Sequence, residues 1–268
     1  MKRILVTGAA GGMGRATVSR LVKDGWLVYA LDRIPCKAGE NIVPIVADVT
    51  DEESVKAAFE TVSKETDKLC AILHLAGIYL LDSLVEIPAS SFERAFRVNL
   101  EGAYLVNKTF LPLLSVGAKI VHVTSELALR DPLPFTGLYG ITKASLDRYA
   151  YSLRMELQLR GICVSVLRAG AVDTGMIDVS TAQLDAFCQN TELYSCNAKR
   201  FKKIVDSVEA RRVPPERIAG KLAKILSKKK PRFAYALNRN PLLILFDCLP
   251  KSLRFSLIRS ILKKPKDV

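Results

Sequence analysis

Seven short apolar runs punctuate the chain: RILVT at 3–7, WLVYAL at 26–31, IVPIVA at 42–47, CAILHL at 70–75, KIVHVT at 119–124, ICVSVL at 162–167 and the weaker RFAYAL at 232–237. They are rich in β-branched residues and do not alternate apolar with polar positions. Strands of that kind belong to parallel sheets covered on both faces. The longer segments between them carry helical periodicity. TDEESVKAAFETVSKE opens with Thr50 and Glu53 at capping-box spacing, and SSFERAFRVNLEGAYLVNKTFLPLL opens with Ser90 and Glu93 at the same spacing. Strand–helix alternation predicts right-handed crossovers and a Rossmann-like, doubly wound α/β sheet of about seven strands with helices on both faces.

No internal repeat, low-complexity stretch or linker interrupts the pattern before residue 240. One domain over 1–240 is expected, followed by an extension at 241–268. The six cysteines form no CxxC pair and no metal-ligand spacing with the two histidines, so no metal site is expected. His74 and His122 fall inside strand patterns and read as core histidines. Reduced cysteines within apolar runs fit a reducing, cytoplasmic setting. The N-terminus lacks a signal-peptide plan, and no segment is apolar for the length of a membrane span.

Charge changes the picture at one end only. Residues 1–198 carry a net charge of −2, whereas residues 199–268 carry +15. From Lys251 on, Leu253, Leu257, Ile258, Ile261 and Leu262 share a helical stripe, with Arg254, Arg259, Lys263 and Lys264 around it. Such a basic amphipathic helix can lie in a membrane interface, or it can pack on the domain or on a second copy. Nucleic acid is disfavoured because aromatic residues are not interleaved with the basic ones.

The first apolar run ends in TGAAGGMGRA, with Gly8, Gly12 and Gly14 where a strand turns into a helix. Glycines there let backbone N–H groups approach a phosphate, and the helix N-terminus adds partial positive charge. A tight turn without a ligand satisfies the same spacing. Asp32 closes the second run, where an acid can accept bonds from the adenosine ribose hydroxyls and repel a 2′-phosphate. That favours NAD. Arg33 follows directly and can accommodate the phosphate of NADP.

Four further pieces appear in order: ADVT with Asp48 and Val49, LAG at 75–77, Asn99 in RVNLEG, and Ser125 in VHVTSE. YGITK follows with Tyr139 and Lys143, four residues apart and so on one helical face, and then RAGAVDT, ending in Thr174. The ordered set resembles the short-chain dehydrogenase/reductase family in its compact one-domain form, over residues 2 to about 240. The resemblance implies a hydride exchange between NAD or NADP and an alcohol or carbonyl. Tyr139 would move the proton, and Ser125 would orient the substrate oxygen. Lys143 would lower the tyrosine pKa and hold the ribose, and Asn99 would support a proton relay. Free tyrosine titrates near pH 10, and an ammonium within about 4–6 Å favours phenolate. Gly8, Gly12, Met13, Gly14, Asp32, Arg33, Asp48, Val49, Ala76, Gly77, Tyr139, Lys143 and Thr174 would line the cofactor. Homodimers or homotetramers are implied as well.

Two positions depart from the family pattern. His74 and Leu75 stand where two asparagines are usual, which removes a bond expected to brace neighbouring strands. Ala169 replaces a proline before Gly170, which should loosen that loop. Residues 176–212, with Met176, Ile177, Leu184, Phe187, Leu193, Tyr194 and Phe201, correspond to the segment that covers the substrate. Their apolar character, and a tail resembling members that act on steroids, retinoids or other lipids, imply a lipophilic alcohol or ketone. The rival reading is a cofactor-binding, membrane-associated scaffold or sensor without turnover.

Overall fold

The computed structural model describes residues 1–208 and 212–263, without the side chains of 175–180 and of Val208. Lys264 and the side chains of Met176 and Ile177 therefore lie outside the described residues. The strands are β1 (Lys2–Thr7), β2 (Trp26–Asp32), β3 (Ile42–Val46), β4 (Leu69–His74), β5 (Leu114–Ser125), β6 (Cys163–Ala169) and β7 (Ala234–Leu237). They form one sheet in the order β3-β2-β1-β4-β5-β6-β7, with every neighbouring pair parallel. The order reverses between β1 and β4, where Thr7 pairs with His74. A crevice opens at the carboxyl ends of strands at such a switch point.

The helices are α1 (Gly12–Lys23), α2 (Glu52–Glu65), α3 (Ala89–Phe96), α4 (Gly102–Phe110), α5 (Gly137–Leu157), α6 (Gly175–Asn190), α7 (Ser195–Val208), α8 (Pro215–Ser227), α9 (Pro241–Asp247) and α10 (Lys251–Leu262). A wide π turn at Arg97–Glu101 joins α3 to α4. Successive strand residues point to opposite faces. Leu5, Tyr29, Ile72, Ile120 and Val164 pack against α2, α4 and α5. Ile4, Val28, Leu73, Val121 and Leu167 pack against α1 and α8. Two apolar faces explain why the runs do not alternate.

Local details differ from the sequence expectations. Asp51, not Thr50, caps α2, its carboxylate accepting from the Glu53 N–H. α3 starts after Pro88 with no side-chain cap, so Ser90 lies inside the helix. β5 begins at Leu114, earlier than its apolar run, through the exposed Ser115–Gly117 stretch.

His74 makes good the lost brace. Its Nε2 lies 2.8 Å from Asn107 Oδ1, and Asn107 Nδ2 donates to the Tyr149 hydroxyl at 3.1 Å, so β4, α4 and α5 are tied together. The His74 and His122 rings stack with centroids 4.5 Å apart. Burial pushes His74 down to about 4 and His122 well below the ordinary histidine value, so both are neutral at pH 7.

The loop after β6 is also held, despite Ala169. The Gly170 N–H donates to Leu237 O at 2.9 Å, and Asn238 Nδ2 donates to Ala171 O at 2.8 Å. These bonds supply the restraint that a proline ring would have given.

The extension packs on the body. Leu262 is buried, and Ile258 packs with it against Leu184, Phe187 and Phe201 of α6 and α7. Arg254 turns inward and pairs with Asp131 at 3.0 Å and Asp247 at 3.6 Å. Arg130, its side chain 5% exposed, also pairs with Asp247. The apolar stripe is therefore divided: Leu253, Phe255 and Ile261 remain outside, as do Leu242 and Leu245 of α9. No helix among the described residues is long and apolar enough to cross a membrane.

Candidate active site

The crevice at the switch point is formed by backbone. Gly8 has φ +69°, and a Cβ there would lie 2.5 Å from Ala76 N. A Cβ on Gly14 would lie 2.1 Å from Gly8 O. Only glycine lets the turn fold this tightly. The N-cap of α1 is Gly11, which offers no side-chain acceptor, and no acid sits in the first turn. The first N–H groups of α1 thus face the crevice, suited to an anion such as a diphosphate. Met13 and Thr174 line the same crevice, with Ala76 and Gly77 across from them.

At the far end of the crevice, Asp32 accepts from Ala10 N at 3.0 Å and from Ile34 N at 3.1 Å. These bonds hold its carboxylate at the rim. Arg33 lies beside it, as the sequence indicates, and Arg15 and Arg94 also line the crevice. Arg15 and Arg94 were not singled out in the sequence reading. Asp48 is lowered chiefly by the Thr50 backbone N–H, which donates to its Oδ1 at 2.8 Å. Val49 packs under Gly102, where a Cβ would meet its Cγ2 at 2.7 Å.

The four candidate polar groups meet where this crevice joins a second pocket. Ser125 ends β5, and Tyr139 and Lys143 stand on successive turns of α5. Lys143 is 6% exposed. Its Nζ lies 5.8 Å from the centre of the Tyr139 ring and donates to Val123 O at 3.4 Å. Asn99 sits in the π turn. Its Oδ1 accepts from Ile78 N at 2.8 Å, and its Nδ2 donates to Ile78 O and to Thr142 Oγ1, each at 3.0 Å. A Cβ on Gly77 would stand 3.1 Å from both Asn99 Oδ1 and Lys143 Nζ. Asn99 thereby locks the loop after β4 to α5.

The electrostatics differ from the sequence expectation. Burial pushes the Tyr139 phenol well above its ordinary value, Tyr79 adds to the rise, and only a hydrogen bond with Ser125 pulls it down. Lys143, its Nζ 5.8 Å from the ring centre, does not offset that rise. Burial instead brings the Lys143 ammonium down to about 8. Lys143 is buried and Tyr139 half-buried, and desolvation by the surrounding protein sets the direction of both shifts.

The second pocket is lined by Leu127, Leu133, Val172, Phe201, Val205 and Leu243, with Ser125, Tyr139 and Lys143 on its floor. Of residues 176–212, Phe201 lines the pocket, whereas Leu184 and Phe187 pack with Ala198 and Leu262, and Leu193 is exposed. Several lining residues were not anticipated. The Tyr79 ring lies tilted against that of Tyr139 with centroids 4.8 Å apart, and Gln183 Nε2 of α6 donates to Tyr79 O at 3.0 Å. Glu126, Asn238, Arg239 and Asn240 contribute from the segments that follow β5 and β7. Glu126 and Asn240 pair across 114 positions, which no local spacing displays.

A glycine-cradled nucleotide crevice opening onto a Ser–Tyr–Lys floor defines an NAD(P)-dependent oxidoreductase on a Rossmann-like sheet. Residues 2–185 match the family described as short chain dehydrogenase, and the chain belongs to that family. It is 25% identical over 232 residues to a 3-ketodihydrosphingosine reductase of Bacteroides thetaiotaomicron, covering 86% of this chain and 85% of the relative. It is 29% identical over 186 residues to a serine 3-dehydrogenase of Rhizobium radiobacter, covering 66% of this chain and 75% of that one. Among solved structures, a 3-ketoacyl-(acyl-carrier-protein) reductase of Brucella melitensis, complexed with NADH, aligns with a TM-score of 0.71 at 24% identity. That alignment covers 88% of this chain and 95% of the other.

Proposed function

We propose that this protein interconverts a lipophilic secondary or primary alcohol and its carbonyl compound. The observation that carries this reading is the pocket itself, apolar on its walls and polar on the floor it shares with the nucleotide crevice. A bound nicotinamide supplies the hydride acceptor or donor. The Gly8–Gly14 turn, Asp32, Asp48, Val49, Ala76, Gly77 and Thr174 would hold that cofactor. Asp32 supports NAD over NADP, with Arg15 and Arg33 as the opposing influence.

Ser125 donates to the substrate oxygen and fixes its direction. Tyr139 gives a proton to that oxygen in reduction and removes one in oxidation. Lys143 holds the ribose and, once cofactor charge joins it, favours the phenolate. Asn99 keeps the floor in register and supports a proton path from Lys143 toward solvent. A lipid-like substrate accords with the name of the 3-ketodihydrosphingosine reductase relative.

The extension at 241–268 is proposed to rest on an anionic membrane surface. Leu245 is 68% exposed and Phe255 70% exposed, with Lys251, Arg259 and Lys263 also on the surface. A homodimer or homotetramer through α4 and α5 is proposed on the exposed Tyr104, Tyr151 and Met155. The deciding experiment supplies NAD or NADP with a panel of long-chain alcohols, amino alcohols, hydroxysteroids and retinol, and the reverse carbonyls with reduced cofactor. Turnover of at least one lipophilic member is expected, and none in either direction would sink the reading. Flotation with anionic liposomes should be lost when Leu245 and Phe255 are both changed to Glu. Equal flotation of the variant would remove the membrane from the proposal.

A further inference from the structure

Glu126 follows Ser125 directly and lies in the same pocket wall. Its side chain is 9% exposed. Among the described residues it is the single acid lining this pocket. Its charge is only partly matched. Oε2 accepts from the Asn240 N–H at 2.8 Å, and the Arg130 guanidinium stands 3.6 Å from the same oxygen. Arg130 is shared with Asp247, and its Nε and Nη2 make no hydrogen bond. Oε1 accepts none from any described residue. Burial raises the Glu126 carboxyl and Asp247 adds to the rise, while the Asn240 N–H, Arg130 and Arg239 only partly pull it down.

A carboxylate placed so is costly when water leaves, unless the incoming molecule brings a donor and a positive charge. A purely apolar substrate would strip its remaining water and return nothing. An ammonium would supply a charge-assisted hydrogen bond to Oε1. Ser125 and Glu126 both line this pocket, so a group bound by Glu126 shares it with the oxygen that meets Ser125. We infer that Glu126 is the specificity residue of the pocket, binding an amine close to the reacting carbinol carbon. The favoured substrate is then a long-chain amino alcohol or the matching amino ketone. This rests on the alcohol–carbonyl reading above and names the substrate class within it.

The test uses the full-length protein with NAD+ and two alcohols of equal chain length. One is a long-chain vicinal amino alcohol, and the other is the same secondary alcohol without the amine. In the wild type, kcat/KM for the amino alcohol should exceed that of its partner by about tenfold to a hundredfold, chiefly through KM. Glu126→Gln keeps an acceptor for Asn240 and removes the charge. It should bring the ratio to within about threefold of unity. A wild type without preference overturns the inference. So does a variant that loses both substrates alike with the ratio intact, because Glu126 then only tethers the extension. Turnover of neither alcohol by the wild type, while another member of the wider panel is turned over, overturns this inference and leaves the alcohol–carbonyl reading standing. Calorimetric titration of a long-chain primary amine and its alcohol counterpart gives the same comparison without turnover. Equal affinities in the wild type would likewise overturn the assignment.

Discussion

The nucleotide crevice and the substrate pocket share Met13, Gly77, Tyr79 and Thr174, yet they are made differently. Backbone shapes the crevice: a glycine turn, helix N–H groups and one acid at a strand end. The pocket is made of side chains drawn from β5, α5, α7 and the extension. A backbone site tolerates almost no change in shape but many changes in surroundings. A side-chain site is the reverse, so substrate choice can drift while cofactor binding stays fixed.

Four substitutions separate the two regions, in falling order of effect. Tyr139→Phe should reduce kcat by roughly 10³-fold, since a positioned general acid–base group contributes about 10²–10⁴. Cofactor affinity should change by less than about threefold. Initial rates and fluorescence titration measure the two, and a large loss of cofactor binding would mean the regions are not separable here. Gly14→Ala is the converse. Its Cβ would meet backbone oxygen at 2.1 Å, so the turn must open. Cofactor affinity should fall by at least about 100-fold, with a lower Tm.

Lys143→Met probes the shared floor. Burial brings Lys143 from 10.5 to about 8. Between those values the unfolded chain holds a proton that the folded chain lacks, so stability rises with pH across that window. Relative to Lys143→Met, wild-type stability should gain about 3 kcal/mol from pH 8 to pH 10.5, read by urea unfolding without cofactor. A flat difference would show that the ammonium is solvated. The mildest change is Asp32→Asn. It should move the NAD-to-NADP preference by about tenfold toward NADP, measured as the ratio of kcat/KM values. No movement would assign the choice to Arg15 and Arg33.

The crevice was legible in the sequence because its parts are local. Gly8, Gly12 and Gly14 fall within one turn, Asp32 ends a strand, and Tyr139 and Lys143 are one helical turn apart. The strands were legible because Ile4, Leu5 and Val6 serve two faces at once. Hidden features were those settled by long-range pairing. Glu126 meets Asn240, Arg130 meets Asp247, and Arg254 meets Asp131; nothing within one helix or strand signals such partners. The inward turn of Arg254 is why a regular basic stripe gave only half an exposed face. The phenol shift was hidden for another reason. Spacing places Lys143 near Tyr139, but burial decides which way the pKa moves.

The stacked imidazoles of His74 and His122 have a consequence for the chain as a folding unit. Both are held neutral at the centre of the sheet, whereas in an unfolded chain they would take up protons near pH 6.5. As acidity increases from pH 6.5 toward about 4, the unfolded ensemble gains protons that the folded sheet refuses, and stability falls. Acid therefore loosens this molecule at its middle, where β4 meets β5 beneath the catalytic floor. An endosomal or lysosomal pH would therefore act on the fold itself, through two rings that line neither cavity.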